Sequence, residues 1–273
     1  MNFICFNGKL LPGHEPVLLA DNRSYRYGDG LFETMKVIRG NIMLESFHFD
    51  RLFTGLSLLK FEIEVLFTAQ KISRDILALC KKNNCFGRAR IRLSVFRGGG
   101  GLYELASQMQ YLVECWALDE AATSFNENGL VIDIFPYARK SCDKFSNLKT
   151  SSFLPYSMAA IYAKDNRLND CGVLNTHDRI ADTTNANVFI VKGNMIITPP
   201  LSEGCISGVM RRHILTTFPA SGISVYEKPL EIKDLEGADE VFLTNAVKGI
   251  KWVKEFRNKF YTCKSASEIF RML

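Results

Sequence analysis

The sequence predicts an α+β fold built as two domains. Three observations carry that reading. Short strand-like runs alternate with helix-like ones. Several of the strands are joined by hairpin signals rather than by long crossovers. No GxGxxG and no phosphate-loop pattern follows any strand, which argues against a regular doubly wound sheet. A polar, weakly patterned stretch at residues 118–129 reads as a linker. It divides the chain into a smaller N-terminal α/β domain at 1–117 and a larger C-terminal domain at 130–273.

The elements follow in order. MNFICFNGKLLPG reads as a strand and turn, because Lys9 breaks a short apolar run, and the same break argues against a signal peptide. FETMKVIRGNIML, Phe32 to Leu44, is two strand-like runs about Arg39-Gly40-Asn41. SFHFDRLFTGLSLLKF sets Phe47, Leu52, Leu56 and Leu59 at helical spacing, with Ser46 as the cap. EVLFTAQKISRDILALCKKNN is a second amphipathic helix. GRARIRLSVFRGGGG alternates arginine with apolar residues as a strand does and ends in glycines, and MQYLVECWAL is another strand. Past the linker come a strand at Leu130 to Phe135, a helix from Leu154 to Asn166, and short strands at 171–176, 186–191 and 194–198. A helix starts near Gly208, and a strand at Glu240 to Thr244 runs into a turn.

Composition narrows the function classes. A chain of 273 residues can bury a sizeable core. Its 34 Lys and Arg are scattered among 29 acids for a net charge of +5, so no basic block points to nucleic acid or membrane. No stretch approaches the roughly 18 apolar residues of a spanning helix. The eight cysteines, at 5, 80, 85, 115, 142, 171, 205 and 263, form no CxxC, and the four histidines make no metal-ligand spacing with them. They read as reduced thiols of a cytoplasmic protein, with no metal expected.

A few residues could carry chemistry. Lys149 stands between Leu148 and Thr150-Ser151-Ser152, just before an apolar helix. A lysine in a partly buried site can shed its proton, act as a nucleophile and form a Schiff base. The plainer reading is a solvated surface charge, and Lys140 and Lys144 are competitors that periodicity does not separate. Gly208 opens a helix, where unpaired N–H groups bind a phosphate dianion, although a simple glycine turn reads the same. Arg51, in HFDRL, offers either a bidentate grip on a phosphate or a salt bridge with Asp50 or Glu45. Arg97 to Gly101 could wrap an anion or form a plain loop. Asp182 sits among threonines and asparagines before a strand.

Taken in order, YGDGLFETMKV (27–37), HFDRL (48–52), RIRLSVFRGGGG, NLKTSSFLPYSMAAIYAK, DRIADTTNANVFIVKGNMIITPP, EGCISGVMRR and ADEVFLTNAVKGIKWV resemble one family across nearly the whole chain. It is the class IV, fold type IV, pyridoxal-phosphate enzymes: branched-chain aminotransferases, D-amino acid aminotransferases and aminodeoxychorismate lyases. The resemblance implies the two-domain fold of a D-amino acid aminotransferase-like enzyme, with pyridoxal 5′-phosphate as cofactor. It makes Lys149, in the C-terminal domain, the catalytic lysine that bonds the cofactor aldehyde. It sets Asp182 where the family has a glutamate against the pyridine nitrogen. It gives Arg51 and the Gly208-Val209-Met210 turn to the phosphate, adds Asn245 and Ala246 to the cofactor contacts, and assigns Tyr27, Thr34 and Arg97 to the substrate.

Two departures bear on the reaction. Asp182 is one methylene shorter than the family's glutamate, and Met210 stands where the transaminases have a threonine hydroxyl. Met210, TNAVKGIKWV and NANVF are similar to the lyases. The implied activity is then the conversion of 4-amino-4-deoxychorismate to 4-aminobenzoate and pyruvate, a step of folate biosynthesis. The alternative is a branched-chain or D-amino acid aminotransferase, and a remoter one is a protein that keeps the fold without the chemistry. Expected partners are a small amino substrate and, by analogy, a second copy of the chain in a homodimer.

Overall fold

The computed structural model describes residues 2–104, 108–219 and 222–272. The chain forms two compact units, Met1–Ala122 with Lys149–Phe153, and Thr123–Leu148 with Leu154–Leu273.

The first unit holds β1 (Phe3–Phe6), β2 (Lys9–Pro12), α1 (Arg23–Tyr27), β3 (Gly30–Ile38), β4 (Asn41–Ile42), α2 (Glu45–Leu58), α3 (Ala69–Lys82), β5 (Arg88–Arg97) and β6 (Met109–Ala117). Its strands make one antiparallel sheet in the order β2-β1-β6-β5-β3-β4. The period of two in β5 sends Ala89, Ile91, Leu93 and Val95 into the core, fully buried, and turns Arg88, Arg90 and Arg92 to the other side. Helix α3 buries Ile72, Ile76, Leu79 and Cys80 at helical spacing and packs on β1 and β6, while α2 packs on β3. Helix α3 begins at Thr68, whose hydroxyl accepts from Lys71 N–H, so Glu64 to Phe67 precede the helix rather than open it. Helix α2 begins before the expected Ser46 cap. Met43 N–H bonds back to Lys36 O across the hairpin, and Leu44, at φ 55°, swings the chain directly into the first turn.

A short helix, α4 (Glu120–Thr123), spans the change of unit, inside the stretch read as a linker. The second unit continues with β7 (Leu130–Ile134), α5 (Leu154–Asp165), β8 (Asp170–Leu174), β9 (Ile180–Thr183), β10 (Asn187–Lys192), β11 (Met195–Thr198) and α6 (Val209–Thr217). It closes with β12 (Val225–Glu227), α7 (Ile232–Glu236), β13 (Glu240–Asn245), β14 (Gly249–Phe256), β15 (Lys259–Phe260) and α8 (Lys264–Arg271). The sheet order is β12-β11-β10-β13-β14-β7-β8-β9, with β15 on β14. The pairs β11–β12, β14–β7 and β7–β8 are parallel and the rest antiparallel. Strands β8, β9, β10 and β13 are buried along almost their whole length, because both faces of this sheet are covered. Val188, Ile190, Val241, Leu243 and Val253 join Leu230, Leu235 and Tyr261 in one core cluster. Phe189 and Phe242 stack with ring centroids 5.0 Å apart, and α5 and α6 pack on β8 and β13.

The segment Lys149–Phe153 is the exception to a simple division at the linker. Leu31 and Thr150 form an antiparallel bridge. Phe32 N–H donates to Lys149 O, and Ser151 N–H to Gly30 O, each at 2.9 Å. Backbone pairing therefore counts Lys149 with the first unit, whereas the sequence reading set it in the C-terminal domain. Periodicity reports which face is buried and carries no information on which distant strand is the partner.

Candidate active site

In the first unit, two glycines of YGDG let the lysine segment approach. Gly28 ends α1 in the left-handed region at φ 67°, and a Cβ there would lie 3.1 Å from Ser152 Cβ. A Cβ on Gly30 would lie 2.8 Å from Val95 O and 3.2 Å from Ser151 Oγ. The Lys149 ammonium is 4.4 Å from the ring centroid of Phe32 and 5.4 Å from that of Phe153, and these two rings meet edge to face at 5.4 Å. Arg92 lies 3.8 Å from the same Phe32 ring, and Thr34 is its cross-strand partner on β3. Thr34 is thus two residues along the strand from Phe32, on the same face.

Arg51 projects from α2 onto Glu33 of β3. Arg51 Nε donates to Glu33 Oε1 at 2.8 Å, Nη2 pairs with Oε2, and His48 Nδ1 lies 2.6 Å from Oε2. Burial pushes the Glu33 carboxyl up, but the charge of Arg51 and the hydrogen bonds from His48 and Arg51 outweigh it and hold Glu33 down to about 2. The carboxylate that Arg51 is seen to grip is Glu33, which the sequence reading did not name. Arg97 is drawn into the same unit's framework. Its guanidinium donates to Asp29 Oδ1 at 2.6 Å, Leu59 O at 2.6 Å and Lys60 O at 2.9 Å. Asp29 also receives Arg23 Nε at 2.8 Å, and the Arg23 guanidinium is 5.6 Å from the Tyr27 ring. Tyr27 itself is exposed.

In the second unit, Asp182 lies on β9 and is 2% exposed. The Tyr156 hydroxyl, from α5, is 3.0 Å from its Oδ1 and 2.9 Å from its Oδ2. Ile206 N–H donates to Oδ2 at 2.9 Å, and Lys140 Nζ lies 3.3 Å from it. Lys140 also donates to the Tyr156 hydroxyl. Burial, then the Asp182 charge, pushes the Tyr156 hydroxyl well above the usual tyrosine range, so it stays a donor. Each oxygen of a carboxylate accepts up to two hydrogen bonds, and Tyr156 reaches Oδ1 as well as Oδ2.

Helix α6 begins at Gly208 with no side chain capping it. Glycine is required: a Cβ would fall 1.9 Å from Asn187 Oδ1, an asparagine fixed by its donation to Ile206 O at 2.8 Å. Asn187 pairs across the sheet with Thr244, so both side chains lie on one side of it. The Thr244 hydroxyl is buried and has no hydrogen-bond partner among the described residues. Val209 and Met210 are buried in the helix's first turn. Asn245 Oδ1 accepts from Val247 and Lys248 N–H, and Ala246 is half-buried in the same turn.

The sequence profile described as Amino-transferase class IV matches residues 30–256. The aminodeoxychorismate lyase of Bacillus subtilis is 29% identical over 89% of this chain and 83% of its own length. The branched-chain-amino-acid aminotransferase of Pseudomonas aeruginosa is 24% identical over 92% of this chain and 84% of its own. Among solved structures, a hypothetical aminotransferase from Mycobacterium tuberculosis in its PLP-bound form superposes with a TM-score of 0.85, at 18% identity, over 99% of this chain and 96% of that one. The chain belongs to the class IV aminotransferases, a family of pyridoxal 5′-phosphate-dependent enzymes.

The residues present fit that group. A dianion needs donors, and the uncapped start of α6, the obligatory glycine and the orphaned Thr244 hydroxyl are what a phosphate would satisfy. A protonated pyridine nitrogen needs an acceptor, and Asp182 is a buried carboxylate whose two oxygens only accept hydrogen bonds.

Tyr156, Glu33, His48, Asn187 and Thr244 were missed in the sequence. Tyr156 stands seven residues after Lys149, and Glu33 within the quoted FETMKV, so only the partner assignments lacked a signal.

Proposed function

We propose that this enzyme is a lyase that cleaves 4-amino-4-deoxychorismate to 4-aminobenzoate and pyruvate. The observation that supports it best is the first turn of α6. Met210 is buried there and offers no hydroxyl, as in the lyase-like pattern rather than the transaminase one. The turn after β13 agrees with it: the Asn245 side-chain oxygen, Oδ1, accepts from the amides of Val247 and Lys248.

In this reading Lys149 would hold the cofactor aldehyde, and its amine, when free, would take the proton from the amine-bearing carbon of the substrate. When bound, the cofactor supplies an electron sink for the carbanion that this proton transfer leaves. Asp182 keeps a proton on the pyridine nitrogen. Its own charge is held in place by the Tyr156 hydroxyl, Ile206 N–H and Lys140, so the shorter side chain is steered by three partners. Arg51 and the start of α6 hold the phosphate, and Thr34 contacts a substrate carboxylate. The functional form in this proposal is a homodimer.

Transamination of a branched-chain or D-amino acid is the second reading, favoured by the extent of the likeness to the Pseudomonas aminotransferase. One experiment separates the two. Purified enzyme loaded with pyridoxal phosphate is given aminodeoxychorismate without any keto acid, and separately an amino acid with 2-oxoglutarate. Continued release of pyruvate and 4-aminobenzoate in the first vessel supports the lyase. Glutamate formation in the second, with nothing released in the first, overturns it.

A further inference from the structure

Three thiols meet in the first unit, apart from every residue assigned to the cofactor. Cys80 lies near the end of α3, Cys85 just after it, and Cys115 on β6. They are 0%, 4% and 1% exposed. Their sulfurs all lie within 4.8 Å of one another, and Cys85 Sγ is 3.5 Å from Cys115 Sγ. Among the described residues no histidine or carboxylate joins the group.

The backbone around the cluster is fixed. Cys85 N–H donates to Cys80 O at 2.9 Å, which closes the turn after α3, and the helix packs on β6. Asn83 is fixed too. It accepts from Phe3 N–H at 2.9 Å, donates to Phe3 O at 2.8 Å, and its Nδ2 also points at Cys115 Sγ, 3.1 Å away. An amide N–H aimed at sulfur is the contact that a metal-bound thiolate takes from its surroundings.

We propose that Cys80, Cys85 and Cys115 form a binding site for one soft, closed-shell metal ion, of the Cu(I) class. The geometry carries this. Three sulfurs about 2.3 Å from a central ion in a plane stand about 4 Å apart, wider than the 3.5 Å between Cys85 and Cys115 and inside the 4.8 Å that bounds all three. Structural zinc sites take four donors, and this cluster supplies three. Magnesium and calcium take oxygen ligands, whereas thiolates select Cu(I). Three Cu–S bonds form, the thiol protons pass to solvent, and the copper stays in its +1 state, so no oxidant is required.

The test uses the full chain loaded with pyridoxal phosphate and fully reduced, under anaerobic conditions. Cu(I) is delivered as its acetonitrile complex against a chromophoric chelator. The expected result is one ion retained per chain. Alkylation followed by peptide mapping should then show the partly exposed Cys142 and Cys263 reacting as they do without copper. Cys85→Ser should weaken retention by more than about 100-fold and Asn83→Ala by about tenfold, the latter serving if the cysteine variant does not fold. A Cys142→Ser/Cys263→Ser variant should bind as the parent does. The proposal is overturned if the chelator strips the parent completely, if Cys85→Ser or Asn83→Ala binds as tightly as the parent, or if copper protects Cys142 or Cys263 instead.

Discussion

The Tyr156 hydroxyl lies 2.9 Å and 3.0 Å from the two carboxylate oxygens of Asp182. It has one proton to give, so it donates to one oxygen at a time, while Ile206 N–H and Lys140 crowd Oδ2. These partners hold the buried acid still.

Tyr156→Phe removes that donor and leaves Lys140 without its hydroxyl acceptor. Losing a hydrogen bond to a buried charge costs about 1–3 kcal/mol. Thermal unfolding of the variant, with and without cofactor, should show a lowered Tm in both. A Tm equal to the parent's would mean that the hydroxyl contributes nothing to holding Asp182.

Lys149→Ala should abolish cofactor attachment and leave the fold in place. The backbone of residues 149–151 makes hydrogen bonds to β3 that the substitution leaves in place. Borohydride reduction and peptide mapping of the parent should find the cofactor on Lys149, and the variant should take no label yet melt near the parent. Label on Lys140 or Lys144 would sink the assignment.

Arg51→Ala has two consequences that a double variant separates. It strips a buried carboxylate of its guanidinium, a loss that costs about 3–5 kcal/mol, and it removes a proposed phosphate ligand. Glu33→Gln placed on top should recover much of the stability but none of the cofactor affinity. If affinity returns with stability, Arg51 is only a structural partner of Glu33.

Glu33 also sets an acid limit. Its folded pKa is depressed from 4.5 to about 2, so folding favours the ionised form. The contribution, on the order of 3 kcal/mol at one pKa unit per 1.36 kcal/mol, is complete above pH 4.5 and drains away as the pH falls towards 2. Urea melts from pH 6 down to pH 2 should show a steeper acid decline in the parent than in Glu33→Gln. Parallel curves would remove Glu33 from the account.

The legible parts of the sequence were those whose two faces differ. Strand β5 showed itself because arginine alternates with Ala89, Ile91, Leu93 and Val95, and α6 because a glycine opens it. Strand β9 did not: Ile180–Thr183 is four residues, buried on both faces, with the polar Asp182 and Thr183 among them. Its acid was read as sitting among threonines and asparagines ahead of a strand rather than within one. Lys140, a rival nucleophile by sequence, is engaged by Tyr156 and Asp182. Arg97, read as an anion or substrate ligand, has Asp29 and two carbonyls as partners, all supplied by residues far from it in sequence. The thiol cluster escaped because Cys115 reaches Cys80 and Cys85 only through the order of the strands, and spacing rules see neighbours in the chain.

The short piece Lys149–Phe153 also fixes an order of events. Neither unit is one uninterrupted length of polypeptide, since the first borrows five residues from the middle of the second. During synthesis from the N-terminus, β3 therefore waits with an unfilled edge until residue 153 has emerged, by which time the second unit has begun. A fragment ending at residue 122 lacks the peptide groups that pair with Gly30 and Phe32, so an engineered boundary placed at the linker cuts across the protein's own assembly schedule.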